Sequence, residues 1–273
     1  MHDKTTELSI YQDDAFTDDV FGGNPAAIVL LQEWLPDALL QKIAAENNLA
    51  ETAFLVPERD LYHLRWFTPK LEVDLCGHAT LASAQVVFEM LYPGRRSVTF
   101  LTRKAGPLTV TIERDRMVMD FPARPAERIV PPAGLVEALG AEPVEVWAAG
   151  KLLCVFETEG AVKALAPDFR KVAALDCLGV IATAPGNDGI DFVSRYFAPH
   201  AGIDEDPVTG SAHCTLVPYW SRRLGKTKLE AHQVSARGGR LSCEDRGARV
   251  SLAGRAVLYL EGRIFVPSPT DRS

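Results

Sequence analysis

Arg65-Trp66-Phe67-Thr68-Pro69, a turn, and Cys76-Gly77-His78-Ala79 opening an apolar run return later in the chain. The second appearance reads Arg195-Tyr196-Phe197-Ala198-Pro199, a turn, and Thr209-Gly210-Ser211-Ala212 opening another apolar run. Arg65 and Arg195 are 130 positions apart and Gly77 and Gly210 are 133 apart, so only the turn changes length. A period near half the chain is too long for a solenoid, whose units run roughly 20–50 residues. Two similar domains are expected, with equivalent loops meeting in a cleft where function should lie.

The apolar runs behind these turns say where each copy belongs. From His78 to Leu91 the apolar residues Leu81, Ala84, Val86, Val87, Phe88, Met90 and Leu91 surround a helix instead of striping it. Such a helix belongs inside a core, and it should stop at Tyr92-Pro93-Gly94. Ser211 to Leu224 repeats the pattern and closes at Gly225, with Pro218 expected to kink or shorten it because an interior proline costs about 3 kcal/mol.

Around these helices the chain reads mainly as strands. They are Leu8–Gln12, Ala26–Leu31, Ala53–Val56, Tyr62–Phe67, Ser97–Leu101, Pro107–Ile112, Met117–Phe121, Arg249–Leu252, Ala256–Leu260 and Arg263–Val266. Pro36 to Asn47 has helical spacing and a C-terminal signal at Asn47-Asn48. The assignment that follows is an N-terminal domain of residues 1–115, which a strand from 255–273 could rejoin, and a C-terminal domain of 116–254. The tail from Pro267 is expected to fray.

Composition narrows the function. With 273 residues, 47% hydrophobic, 24% charged and a net charge of −7, the chain reads as an ordinary globular protein with no basic footprint for nucleic acid. No apolar run approaches the roughly 20 residues of a membrane span, so the expected location is cytoplasmic. The five cysteines form no CxxC pair and the six histidines no HExxH spacing, so neither a disulfide framework nor a metal site is expected.

At both helix starts, small residues leave backbone N–H groups outside the helix ladder. These ends carry roughly half a positive charge and suit a carboxylate or phosphate. Two of them would grip a small anion, although each alone is also an ordinary tight start that needs glycine. His78 in the first turn and Asp206 in the acidic turn before Pro207 are the ionisable neighbours. Spacing alone makes Glu51 a surface residue.

Four motifs in register resemble the PhzF family of phenazine-biosynthesis-like isomerases. They are Phe21-Gly22-Gly23-Asn24-Pro25, Glu51-Thr52-Ala53-Phe54, Asp74-Leu75-Cys76-Gly77-His78-Ala79-Thr80 and Asp206-Pro207-Val208-Thr209-Gly210-Ser211-Ala212-His213. Gly238-Gly239-Arg240 and Leu260-Glu261-Gly262 extend the likeness over essentially the whole chain. The resemblance implies an α/β (α+β) diaminopimelate epimerase-like fold: two pseudo-symmetric domains, each a curved mixed β-sheet or barrel wrapped around a central helix.

It also implies an isomerase that shuttles a proton without a cofactor. Glu51 would be the general acid/base, while His78 and Asp206 bind and polarise a small carboxylate substrate. The amides of Gly77, Gly210 and Ser211 would hold its carboxylate, with Asn24, Cys76 and Thr209 as further binding positions. A homodimer is implied as well.

One departure matters. Amino-acid epimerases of this fold use two facing thiols at the helix starts, and Cys76 here answers to Thr209. Epimerisation through Cys76 and a small-anion binder without turnover stand as alternatives.

Overall fold

The structure, a computed structural model, describes residues 5–268. Its contacts divide the chain into two units. The first runs to Phe21, resumes at Pro25–Met119 and takes in the chain from Arg255 onward; the second comprises Gly22–Asn24 and Asp120–Gly254.

The first unit begins with β1 (Thr5–Ala15), β2 (Asn24–Leu30), α1 (Asp37–Asn47), β3 (Glu51–Glu58), β4 (Leu61–Phe67) and β5 (Glu72–Val73). Helix α2 (Gly77–Val86) follows, then β6 (Ser97–Thr102), β7 (Pro107–Glu113) and β8 (Arg116–Pro122). In the second unit come β9 (Glu127–Arg128), α3 (Leu135–Leu139), β10 (Glu145–Ala148), β11 (Leu152–Val155), α4 (Glu159–Lys163) and α5 (Phe169–Ala173). They are followed by β12 (Val180–Pro185), β13 (Phe192–Ala198), β14 (Ile203–Asp206), α6 (Gly210–Leu224), β15 (Lys228–Gln233), β16 (Gly239–Asp245) and β17 (Arg249–Gly254). The last strand, β18 (Ala256–Pro267), returns to the first unit as the antiparallel partner of β1.

The repeat seen in the sequence is a repeat of strand register. β2 runs parallel to β3, β3 antiparallel to β4, and β4 parallel to β6. β11, β12, β13 and β15 reproduce those three pairings in the same order. In each copy the arginine of the aromatic strand forks onto a glutamate of the next short strand. Arg65 Nε and Nη2 each donate to Glu72 at 2.7 Å. Arg195 does the same to Glu205 at 2.7 and 2.8 Å. Both guanidinium groups also lie 5.0 Å from the ring two residues on, Phe67 or Phe197.

Helix α2 is buried from Gly77 through Ala84 and lies against β1, β3 and β18. Its hydroxyls turn back on the helix, Thr80 donating to Cys76 O at 2.5 Å and Ser83 to Ala79 O at 2.7 Å. That arrangement lets polar side chains sit in a core without orphaned donors. Leu81, Val87 and Phe88 supply the burial, at about 1.5–3 kcal/mol each. α1 closes the outer side of this unit through Leu40, Ile43 and Ala44, and ends at Asn48 in the left-handed region. α6 plays the part of α2 in the second unit, against β15, β16 and β17.

Several expectations are revised. The first central helix does not stay α-helical to Leu91: Val87–Leu91 forms a π turn closed by Tyr92 N–H donating to Val87 O at 2.8 Å. Pro218 does not shorten α6. A proline there removes the bond to the carbonyl four residues back, which is that of Cys214, and Arg124 N–H fills the gap at 2.8 Å. The two strands expected after Gly254 are one continuous strand. Gly262 pairs with Ile10, and the register shifts further on, where Gln12 and Asp13 face Leu260 and Leu258 and leave Tyr259 as the extra residue of β18. Pro267 and Ser268 are placed, so the tail expected to fray lies outside the described residues from 269 onward. The short helices α3 to α5 carried no strong periodic signal.

At that irregularity Asp13 is fully buried, and neither carboxylate oxygen has a hydrogen-bond partner among the described residues. Burial, then Glu89 and Asp14, push its pKa up to about 7 from 3.8. Folding therefore favours the protonated acid. The associated stability is present in full below about 3.8, and is lost as pH rises through about 7. The loss is on the order of 4 kcal/mol at most. Asp13→Val is expected to remove this slope, which denaturant titrations across that pH window would show. A variant as pH-dependent as the wild type would contradict it.

Candidate active site

In the first unit β3 begins at Glu51, and the turn after β5 delivers Cys76 to the N-cap of α2. Glu51, read from spacing as a surface residue, is in fact enclosed: its side chain is 12% exposed and Oε2 stands 3.1 Å from His78 Nε2. Cys76 Sγ lies 3.5 Å from His78 Nδ1. Thr80 is the first amide to bond within the helix, to Cys76 O at 3.2 Å. The N–H groups of Gly77, His78 and Ala79 precede that ladder.

Burial lowers the proton affinity of His78, but Cys76 and Glu51 beside it outweigh burial and hold its pKa well above 6.5. Burial and the Glu51 charge push the Cys76 thiol up to about 11. The cluster thus sets an imidazole of raised proton affinity between Glu51 and a thiol that is itself hard to ionise. Glu51, Cys76 and His78 bring an oxygen, a sulfur and a nitrogen within 4.8 Å of one another, a grouping that no sequence spacing betrays. These are donors of the kind that hold a cation, and binding one would release the proton of the thiol.

The second unit holds the other candidates. Asn24 Nδ2 donates to Asp206 Oδ1 at 2.7 Å and to Val208 O at 2.9 Å. Thr209 Oγ1 donates to Asp206 Oδ2 at 2.5 Å. Gln233, fully buried and passed over in the sequence, ties the same turn together: Nε2 donates to Asp206 O at 2.7 Å and Oε1 accepts from Thr209 N at 2.8 Å. Thr209 is the N-cap of α6 as Cys76 is of α2, each extended and neither using its side chain to cap its helix. Gly210 and Ser211 follow in the first turn, where Lys151 Nζ reaches Ser211 Oγ at 3.1 Å. Lys151 was also missed, because nothing local marks a lone lysine after a glycine.

The structure therefore gathers Glu51, Cys76, Gly77 and His78 in one unit, and Asn24, Asp206, Thr209, Gly210 and Ser211 in the other. Trp66, Tyr196 and Phe197 are buried strand residues. The cysteines are all free, and no helix among the described residues is long and apolar enough to cross a membrane.

A strand repeat closed around buried helices, with ionisable groups at the helix starts, defines an isomerase-like protein of the epimerase fold. A hydroxyproline epimerase from Agrobacterium vitis shares that fold at a TM-score of 0.59, with 10% identity over 96% of this chain and 94% of that one. The chain belongs to the phenazine biosynthesis-like (PhzF) family, whose profile matches residues 13–262. It is 52% identical over 260 residues to an uncharacterized isomerase of Pseudomonas aeruginosa, covering 95% of this chain and 100% of that protein. The crystal structure of a PhzF-family protein from Enterococcus faecalis superposes at a TM-score of 0.91, with 46% identity over 96% of this chain and 100% of the other.

Proposed function

We propose that this chain is a cofactor-independent isomerase that moves a proton on a small carboxylate-bearing substrate, with Glu51 as the general acid/base. The observation that carries this reading is the enclosed pair of Glu51 Oε2 and His78 Nε2, 3.1 Å apart at the start of a buried helix. The carboxylate removes a proton from a carbon made acidic by its neighbours and returns it to another position. The His78 imidazolium and the first-turn amides of α2 oppose the negative charge that develops on the substrate meanwhile. In the second unit, the amides of Gly210 and Ser211 are suited to hold a carboxylate, with Asn24, Asp206 and Thr209 shaping that turn.

Cys76 is the rival base. Its thiol, pushed up to about 11, yields little thiolate at neutral pH, and its counterpart is the non-titrating Thr209. Solvent-deuterium wash-in tests the choice. The protein is incubated in D2O with a panel of small carboxylates and with cell extract, then read by mass spectrometry. A one-dalton gain that requires Glu51 is expected. Exchange that survives Glu51→Gln and vanishes in Cys76→Ser would transfer the chemistry to the thiol.

A further inference from the structure

The repeat of strand register makes the two units comparable residue by residue. Arg65, Trp66 and Phe67 correspond to Arg195, Tyr196 and Phe197. Across the next strand, Thr52 pairs with Phe67 and Val180 with Phe197, so Glu51 corresponds to Gly179. One strand further, Ala26 is the partner of Glu51, and Leu152 is the partner of Val180. Lys151 therefore corresponds to Ala26. On the central helices, His78 corresponds to Ser211.

The comparison exposes an exchange of charge. In the first unit the acid at the start of β3 reaches the second helical residue, Glu51 to His78 at 3.1 Å. In the second unit that acid is replaced by Gly179, where a Cβ would lie 2.5 Å from the Tyr196 hydroxyl oxygen. The helix's second residue is reached instead by a cation from the neighbouring strand, Lys151 to Ser211 at 3.1 Å.

Lys151 is 7% exposed, although the equivalent Ala26 shows that the fold closes at this position with a methyl group. Its partners among the described residues are the Ser211 hydroxyl and the face of Tyr196, 5.6 Å from Nζ, and no ion pair forms to it. Two of the three ammonium hydrogens thus lack an acceptor. Asp206, the acid whose field it feels, already accepts from Asn24 and Thr209. Cys214 carries a thiol pushed up to about 11, and exposed Arg124 adds a second positive charge. Burial outweighs the Asp206 charge and lowers the proton affinity of Lys151, and an anion bound against the ammonium would offset that cost.

We propose that Lys151, with the Ser211 hydroxyl and the first-turn amides of α6, is the charge-selecting position for a carboxylate group of the substrate. It deepens the proposed function and rests on the reading that the substrate is a small carboxylate. What it adds is selectivity: amides and a hydroxyl alone accept a neutral carbonyl nearly as readily, whereas a buried ammonium favours the charged group.

Calorimetric titration of the full chain with benzoate and with benzamide, its uncharged counterpart, tests this. The wild type and Glu51→Gln should bind benzoate at least about tenfold more tightly than benzamide, the effect of one charged hydrogen bond. Lys151→Met and Lys151→Gln should lose most of that preference, keeping only the weaker one of the helix start, while melting no lower than the wild type, because a buried charge without a contacting counter-ion is gone. A wild type that does not distinguish the ligands, or a Lys151 variant that distinguishes them as strongly as the wild type, overturns the assignment. The outcomes separate from those of the proposed reaction. Glu51-dependent deuterium exchange with an unchanged KM in Lys151→Met would sink the lysine and leave the proton transfer standing. Lys151-dependent discrimination with no exchange in any pool would do the reverse.

Discussion

Glu51→Gln should lower the rate of solvent-deuterium exchange by about 10²–10⁴-fold, the range ascribed to a positioned acid/base. The amide keeps the shape of the side chain and cannot take up a proton at neutral pH. Because the pocket is otherwise unchanged, substrate affinity should fall far less than turnover. A second readout needs no substrate. Burial depresses the His78 pKa, and Glu51 is one of the two groups that raise it. Removing the carboxylate must therefore shift the imidazole pKa downward, which NMR titration of the His78 ring would follow. The same linkage gives the sign for wild-type stability. The stabilisation from His78 is complete below about 6.5 and is lost as pH rises through the higher folded-state value. An unshifted imidazole in Glu51→Gln would show that the pair is not electrostatically coupled, whatever the exchange rate.

Arg65→Met should destabilise the protein by about 3–5 kcal/mol, as breaking a buried ion pair on one side does. The Arg65 side chain is 3% exposed, forks onto Glu72 and donates to Asp37 Oδ1 at 2.8 Å. It also lies over the rings of Trp34 and Phe67, at 5.1 and 5.0 Å. Methionine fills much of the volume and leaves Glu72, itself only 28% exposed, with the exposed Arg103 at 3.2 Å as its remaining partner. The double variant Arg65→Met/Glu72→Met should recover much of the loss, since both halves of the buried fork are then gone and exposed Asp37 keeps Arg103 at 3.6 Å. Denaturant titration of the two proteins measures both quantities. A loss below about 1 kcal/mol in the single variant would place this fork among ordinary surface pairs. Arg195 offers a contrast, because it also donates to the carbonyls of Val162 and Leu165 at 3.2 and 2.7 Å, and so holds the end of α4.

These two residues show different degrees of legibility. Arg65 announced itself through repetition, since an arginine followed by two aromatics, a turn and a glycine-led helix start is rare enough to be seen twice. Glu51 did not. It follows a helix end and opens a strand, and by spacing it belongs on the surface. Only the family motif pointed to it, and only the parallel pairing with β2 and the approach of His78 enclose it. Lys151 and Gln233 lay beyond both kinds of reading, because their partners are 60 and 24 residues away. Pro218 was legible as a break in the helix, yet the carbonyl it orphans is met by Arg124, a residue no local rule connects with it.

What the sequence determined by itself was therefore periodic or local: two buried helices, their glycine-led starts, most of the strands and the repeat that relates them. These follow from side-chain alternation and backbone freedom, which act over a few residues. The tertiary structure decided the charges. It raised the proton affinities of His78 and of the Cys76 thiol, left buried Asp13 without a hydrogen-bond partner among the described residues, and buried Lys151 against a single hydroxyl acceptor. Those states depend on desolvation and on Coulomb interactions between groups distant in the chain, and both exist only once the strands have brought the groups together and excluded water.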